Sequence, residues 1–142
     1  MPANAALYIQ REDVDLTEVF EDVKSDRGIF RKATYYDVGL QGDWVRFNLM
    51  EPAQVKAHID GFLGYIASLD QDEKRKADTS YAISHTRVVL GLVTDKNFED
   101  NPAIWESLFR IADAYDGFVF VHGSVLLPNG AILVGPLLEQ ET

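Results

Sequence analysis

The chain has 142 residues, with 23 acidic and 13 basic side chains and a formal charge of −10. Hydrophobic residues make up 46%, enough for a packed core and too much for a disordered tail. Cysteine is absent, which excludes disulfide frameworks, thiolate metal centres and cysteine nucleophiles. It also fits a cytoplasmic setting. The acidity argues against phosphate backbones and anionic lipid as partners, because such binding runs on clustered Lys and Arg. No stretch approaches the 18 or so apolar residues of a membrane span, and the first residues lack the basic start of a signal peptide. At this length one globular domain over 1–142 is expected.

Leu7-Tyr8-Ile9 is a short apolar run that predicts a strand. A helix is expected next, with Asp15 as cap, Glu18 as its capping-box partner and Val14 and Val19 as staple. Leu16, Val19, Phe20 and Val23 would share its buried face, and Arg27-Gly28 would end it.

Residues 30–50 predict a β-hairpin. Tyr36, Val38 and Leu40 alternate with Tyr35, Asp37 and Gly39, and Val45, Phe47 and Leu49 alternate with Trp44, Arg46 and Asn48. Alternation of this kind sends one set to a core and the other to the opposite face. Pro52 opens a second helix, whose stripe is Val55, Ile59, Phe62, Ile66 and Leu69. Ala57, Gly61, Gly64 and Ser68 run beside that stripe, and interior glycines at about 1 kcal/mol each suggest tight packing of the helix on a sheet. Residues 70–80 are the most polar stretch and are expected to be an internal loop or a frayed helix end.

Arg87 to Val93 is almost continuously apolar, as for a central strand buried on both faces. Asn101-Pro102 caps a third helix with Ile104, Leu108, Ile111 and Tyr115 inward and Gly117 as its terminator. Strands are expected at 118–121, 124–127 and 131–134, with Pro128-Asn129-Gly130 as the last turn. The order β-α-β-β-α-β-α-β-β predicts an α+β fold. Its ferredoxin-like βαββαβ core would be extended by a C-terminal helix and β-hairpin, giving a mixed, mostly antiparallel sheet with helices packed on one face.

Glycine-rich phosphate loops, zinc-protease motifs and the serine nucleophile elbow are all missing from the sequence. The three histidines, His58, His85 and His122, show no ligand spacing. Neither metal nor cofactor is therefore expected.

Tyr35, Asp37, Trp44 and Arg46 on the polar hairpin face are the candidates for an interaction surface, since Trp, Tyr and Arg dominate binding hot spots. A helix or the terminal hairpin covering that face would make it a second core instead. Ligand-site candidates at the strand ends are His85, Asp95, His122 and Ser124, where His122 and Ser124 could lie side by side as base and nucleophile.

Residues 12–26 carry seven acids against Lys24 alone, and from Phe98 onward there are seven acids against Arg110 alone. Such surfaces would steer a basic partner. The expected function is a non-catalytic protein-interaction module, either an inhibitor or immunity-type protein for a basic partner or a homodimer. The alternative is a small enzyme or ligand-binding domain near His122 and Ser124.

Overall fold

In a computed structural model, residues 1–140 are described; Glu141, one of the C-terminal acids, lies outside them. Eight strands form one antiparallel sheet: β1 (Ala5–Ile9), β2 (Val23–Ser25), β3 (Tyr35–Leu40), β4 (Asp43–Leu49), β5 (Val88–Val93), β6 (Gly117–Val121), β7 (Ser124–Leu126) and β8 (Ile132–Val134). Their spatial order is β2-β3-β4-β5-β1-β6-β7-β8. The helices are α1 (Pro52–Ser68), α2 (Glu73–Ile83), α3 (Pro102–Ala114) and the short α4 (Pro136–Gln140). No helix among the described residues is long and apolar enough to cross a membrane.

The expected α+β class is present, but the strand order differs from a ferredoxin-like one. There β1 would lie directly against β4, whereas here β5 separates them. Helices pack on both faces of the sheet, not on one. The cause is the composition of β1, which is apolar at every position and is paired on both sides. Leu7 and Ile9 point into a core shared with Ile104, Leu108 and Ile111 of α3. Tyr8 points the other way, into a second core with Ile59, Phe62 and Ile66 of α1, Ile83 of α2 and Val89 of β5.

The first expected helix is a single 3₁₀ turn, Leu16–Glu18. Asp15 does cap it, its side chain accepting from the Thr17 amide at 3.1 Å. The chain then leaves for the sheet, where Val23 pairs with Val38, so tertiary pairing overrides the local helical pattern.

The expected loop at 70–80 is mostly α2. Its burial is supplied by Lys76, Thr79 and Ile83, which simple hydrophobic patterning under-reads. The Lys76 ammonium donates to the carbonyls of Ala67 and Leu69 at 3.0 and 2.8 Å, closing the C-terminus of α1 while its stem lies along the core.

Gly61 and Gly64 do not mark tight packing either. A Cβ on either would meet nothing within 4 Å. By contrast Asn101 performs more than the expected cap. Its carbonyl accepts from the Ala103 amide at 3.1 Å while its amide donates to the Leu40 carbonyl and to Asp43 at 2.8 and 2.9 Å. It thereby locks the turn between β3 and β4 against α3.

Candidate functional site

The two α-layers leave part of the sheet open. On the α1 side, the outward residues of β3 and β4 are Tyr35, Asp37, Trp44, Arg46 and Asn48, and no helix among the described residues lies over them. Trp44 is 51% exposed and Val93 of the adjoining strand 52%, so this face is a surface, not a second core.

Its side chains are ordered by one another. Arg46 donates two hydrogen bonds to the Asp37 carboxylate, at 2.8 and 3.0 Å, across a directly paired position. The same guanidinium lies 3.8 Å from the centre of the Tyr35 ring. The fork geometry is one that lysine could not reproduce. Asp37 holds the Arg46 pKa above its ordinary value through that hydrogen bonding.

One row further, Lys24 of β2 stands 4.7 Å over the Trp44 ring. Trp44 faces Gly39 across the ladder, and a Cβ at Gly39 would touch the indole at 3.4 Å. The missing side chain gives the ring a flat seat. All four expected surface residues, Tyr35, Asp37, Trp44 and Arg46, therefore share one open face, and Lys24 joins them.

The strand-end candidates are not brought together as a group. β5 and β6 both run antiparallel to β1, so His85 before β5 and His122 after β6 sit at opposite edges of the sheet. His85 is exposed at the end of α2 and contacts the Tyr81 carbonyl at 2.8 Å. Asp95 is exposed in the loop after β5.

His122 and Gly123 are not strand residues. They form the two-residue turn between β6 and β7, with φ of 52° and 74°, as a type I′ hairpin requires. The His122 ring packs against Trp105 and Phe98. Ser124 is fully buried and its hydroxyl accepts from the Leu137 amide at 3.0 Å. The turn at Gly123 separates the two side chains, so no base–nucleophile pair forms. Among the described residues no group of three His, Asp or Glu side chains is placed to hold a metal.

Two features escaped the sequence reading. One is a groove of about 1210 Å³ on the α1 side of the sheet, with Ala6, Gly91 and Asn48 in its floor. At its wall the Tyr8 hydroxyl and His58 Nε2 are hydrogen bonded at 3.0 Å, and burial pushes the Tyr8 pKa up to about 12. The histidine's spacing on α1 gave only an exposed helix position; its pairing with Tyr8 depends on a contact 50 residues away.

The other feature is the loop between β2 and β3. Asp26 organises it, accepting from the amides of Thr34 and Tyr35 at 2.7 and 3.3 Å and from the Thr34 hydroxyl. These bonds, those from Thr34 foremost, lower the Asp26 pKa to about 2. At its tip Ile29 and Phe30 are 94% and 100% exposed. An adjacent apolar pair inside a run of charged residues was the available signal.

No family model, curated protein or solved structure matches the chain.

Proposed function

We propose that the protein is a non-catalytic interaction module that docks a protein partner on the open face of β3 and β4. The observation carrying this reading is the half-exposed Trp44 beside the Tyr35–Arg46–Asp37 unit, on a sheet face that no helix covers. Trp, Tyr and Arg supply most hot-spot energy in interfaces. Here the long arginine is already fixed by Asp37 and Tyr35, so little side-chain freedom remains to be lost on binding.

Acidic residues border the β2 end of this face, away from the basic β2–β3 loop. Glu21 and Asp22 are exposed just before β2, and they favour a basic partner through association rate and selectivity. A cytoplasmic inhibitor covering a basic enzyme is the kind of complex that this size, charge and surface suit.

The experiment compares immobilised wild-type protein with the Trp44→Ala/Arg46→Ala double variant in lysate from the native cells. The expected result is a specific protein retained by the wild type at low salt, eluted by high salt and not retained by the variant. Equal retention by both proteins overturns the reading, and so does an empty wild-type column at low salt.

A further inference from the structure

Gly91 lies in the middle of β5, and no described residue packs where its side chain would stand. The ladder is in unbroken register on both sides, with Gly91 opposite Ala6 on β1 and Asn48 on β4. Its φ is not among the positive ones, and a Cβ placed on it meets nothing within 4 Å. Glycine weakens a strand interior. With no bulge and no close internal neighbour, it leaves a recess of the kind where a ligand or another backbone often approaches a strand.

Gly91 forms the groove floor with Ala6 and Asn48, and Met50, Phe98 and Phe120 stand around it. Glu99 is the one charged side chain among its described lining residues. Asp95 and Asp100 are exposed on the same loop, and Glu51 is exposed next to Met50. Polar side chains such as Asn97 and His58 also line the groove and Lys96 is exposed on the same loop, but acids outnumber it there, so the groove is largely apolar with a net acidic rim.

The loop between β2 and β3 has the opposite character. Its two apolar tip residues touch almost nothing, yet it is held in shape. Gly28 and Arg31 exchange backbone hydrogen bonds at 3.0 and 3.4 Å, and Asp26 fixes the base. Exposed Arg27, Arg31 and Lys32 flank the tip; Arg27 pairs with Asp15 at 3.7 Å and Arg31 with Asp26 at 3.9 Å, which offsets part of their charge. A prearranged apolar tip with a basic collar calls for an apolar pocket with an acidic rim. The chain itself offers one, and the loop does not occupy it within the same molecule.

We infer that the Ile29–Phe30 loop of one copy docks over Gly91 in the groove of a second copy, and that the reciprocal contact closes a symmetric dimer. Two identical loop-into-groove contacts about a twofold axis satisfy both copies and leave no unpaired end. The inference uses neither Trp44 nor Arg46, although the groove adjoins the partner-binding face through Asn48 and Val93.

Sedimentation velocity across the micromolar range tests it, using the full chain. The wild type is expected to dimerise. Ile29→Ser/Phe30→Ser removes the tip and should weaken self-association at least about a hundredfold, given the usual value of burying two large apolar side chains. Gly91→Phe fills the groove floor and should do the same; if circular dichroism shows it unfolded, Gly91→Val is read instead. Mixing the tip-less and groove-filled variants should restore a heterodimer, because one intact tip then meets one intact groove.

A monomeric wild type overturns the inference, and so does a dimer that survives either change or a mixture that stays monomeric. Trp44→Ala should leave the dimer intact. Loss of the dimer in that variant would assign self-association to the Trp44 face and overturn the loop–groove contact, whereas a monomeric wild type leaves the partner-binding reading untouched.

Discussion

Replacing Tyr8 by phenylalanine isolates one buried hydroxyl at the junction of sheet and α1. Tyr8 is 2% exposed, stacks on Phe62 with ring centres 4.5 Å apart and bonds to His58. At neutral pH the substitution loses one hydrogen bond to a solvent-accessible partner, a cost of roughly 0.5–1.5 kcal/mol. The larger effect is at alkaline pH. Burial raises the phenol from 10.0 to about 12, so between those values the unfolded chain releases a proton that the folded chain keeps. Stability therefore falls as pH rises through this window. A shift of that size is worth about 2–3 kcal/mol in full, of which about 2 kcal/mol is lost by roughly pH 11.5. Tyr36 and Tyr115 are also raised by burial, but they act equally in both proteins and cancel in the difference. Urea denaturation at a series of pH values should show Tyr8→Phe slightly less stable at pH 7 and closing on or overtaking the wild type above pH 10. Parallel stability curves through that range would refute the burial of this phenol as the source of the shift.

Phe62→Ala empties the centre of the second core, where Phe62 touches Tyr8, Tyr65 and Phe120. It should cost about 3–5 kcal/mol and lower Tm by roughly 10 °C or more in calorimetry. For Asp26, whose folded pKa is about 2 against an ordinary 3.8, the contribution to order in the β2–β3 loop is complete above the ordinary value and lost as pH falls toward 2; a carboxyl titration followed by NMR should give a midpoint near 2, and a midpoint near 4 would refute the hydrogen-bonded loop base. Ser124→Ala leaves the Leu137 amide without its acceptor. It should reduce stability by roughly 1–3 kcal/mol and speed limited proteolysis around α4, and unchanged cleavage would argue against that tether.

Helix stripes and hairpin alternation were legible because both are local periodicities. Val55, Ile59, Phe62 and Ile66 are buried as their spacing demands, and Tyr36, Val38 and Leu40 go inward while Tyr35, Asp37 and Trp44 do not. What periodicity cannot show is pairing between distant segments. Val23 completes a helical pattern with Phe20, yet it belongs to an edge strand because Val38 is there to receive it. Lys76 looks like a solvated charge, but its ammonium closes two carbonyls of the preceding helix. The strand order fails for the same reason: β1 and β5 are 83 residues apart at the Leu7–Leu90 pair, and nothing local encodes their adjacency.

The candidate surfaces divide along the same line. Trp44 and Arg46 were readable because alternation fixes which way a strand residue points, and exposure then follows from the absence of a covering helix. The groove was not readable, since its floor is assembled from three strands that meet only in the sheet. Gly91 shows how the two kinds of information combine. In sequence it interrupts an apolar run and looks like a minor concession within a buried strand. In the fold its empty Cβ direction opens onto the α1 side beside Ala6 and Asn48, while Leu90 and Leu92 on either side face the opposite core. A valine there would suit the strand better on propensity alone. The residue present gives up that preference and leaves a recess in a surface that is otherwise ready to be covered.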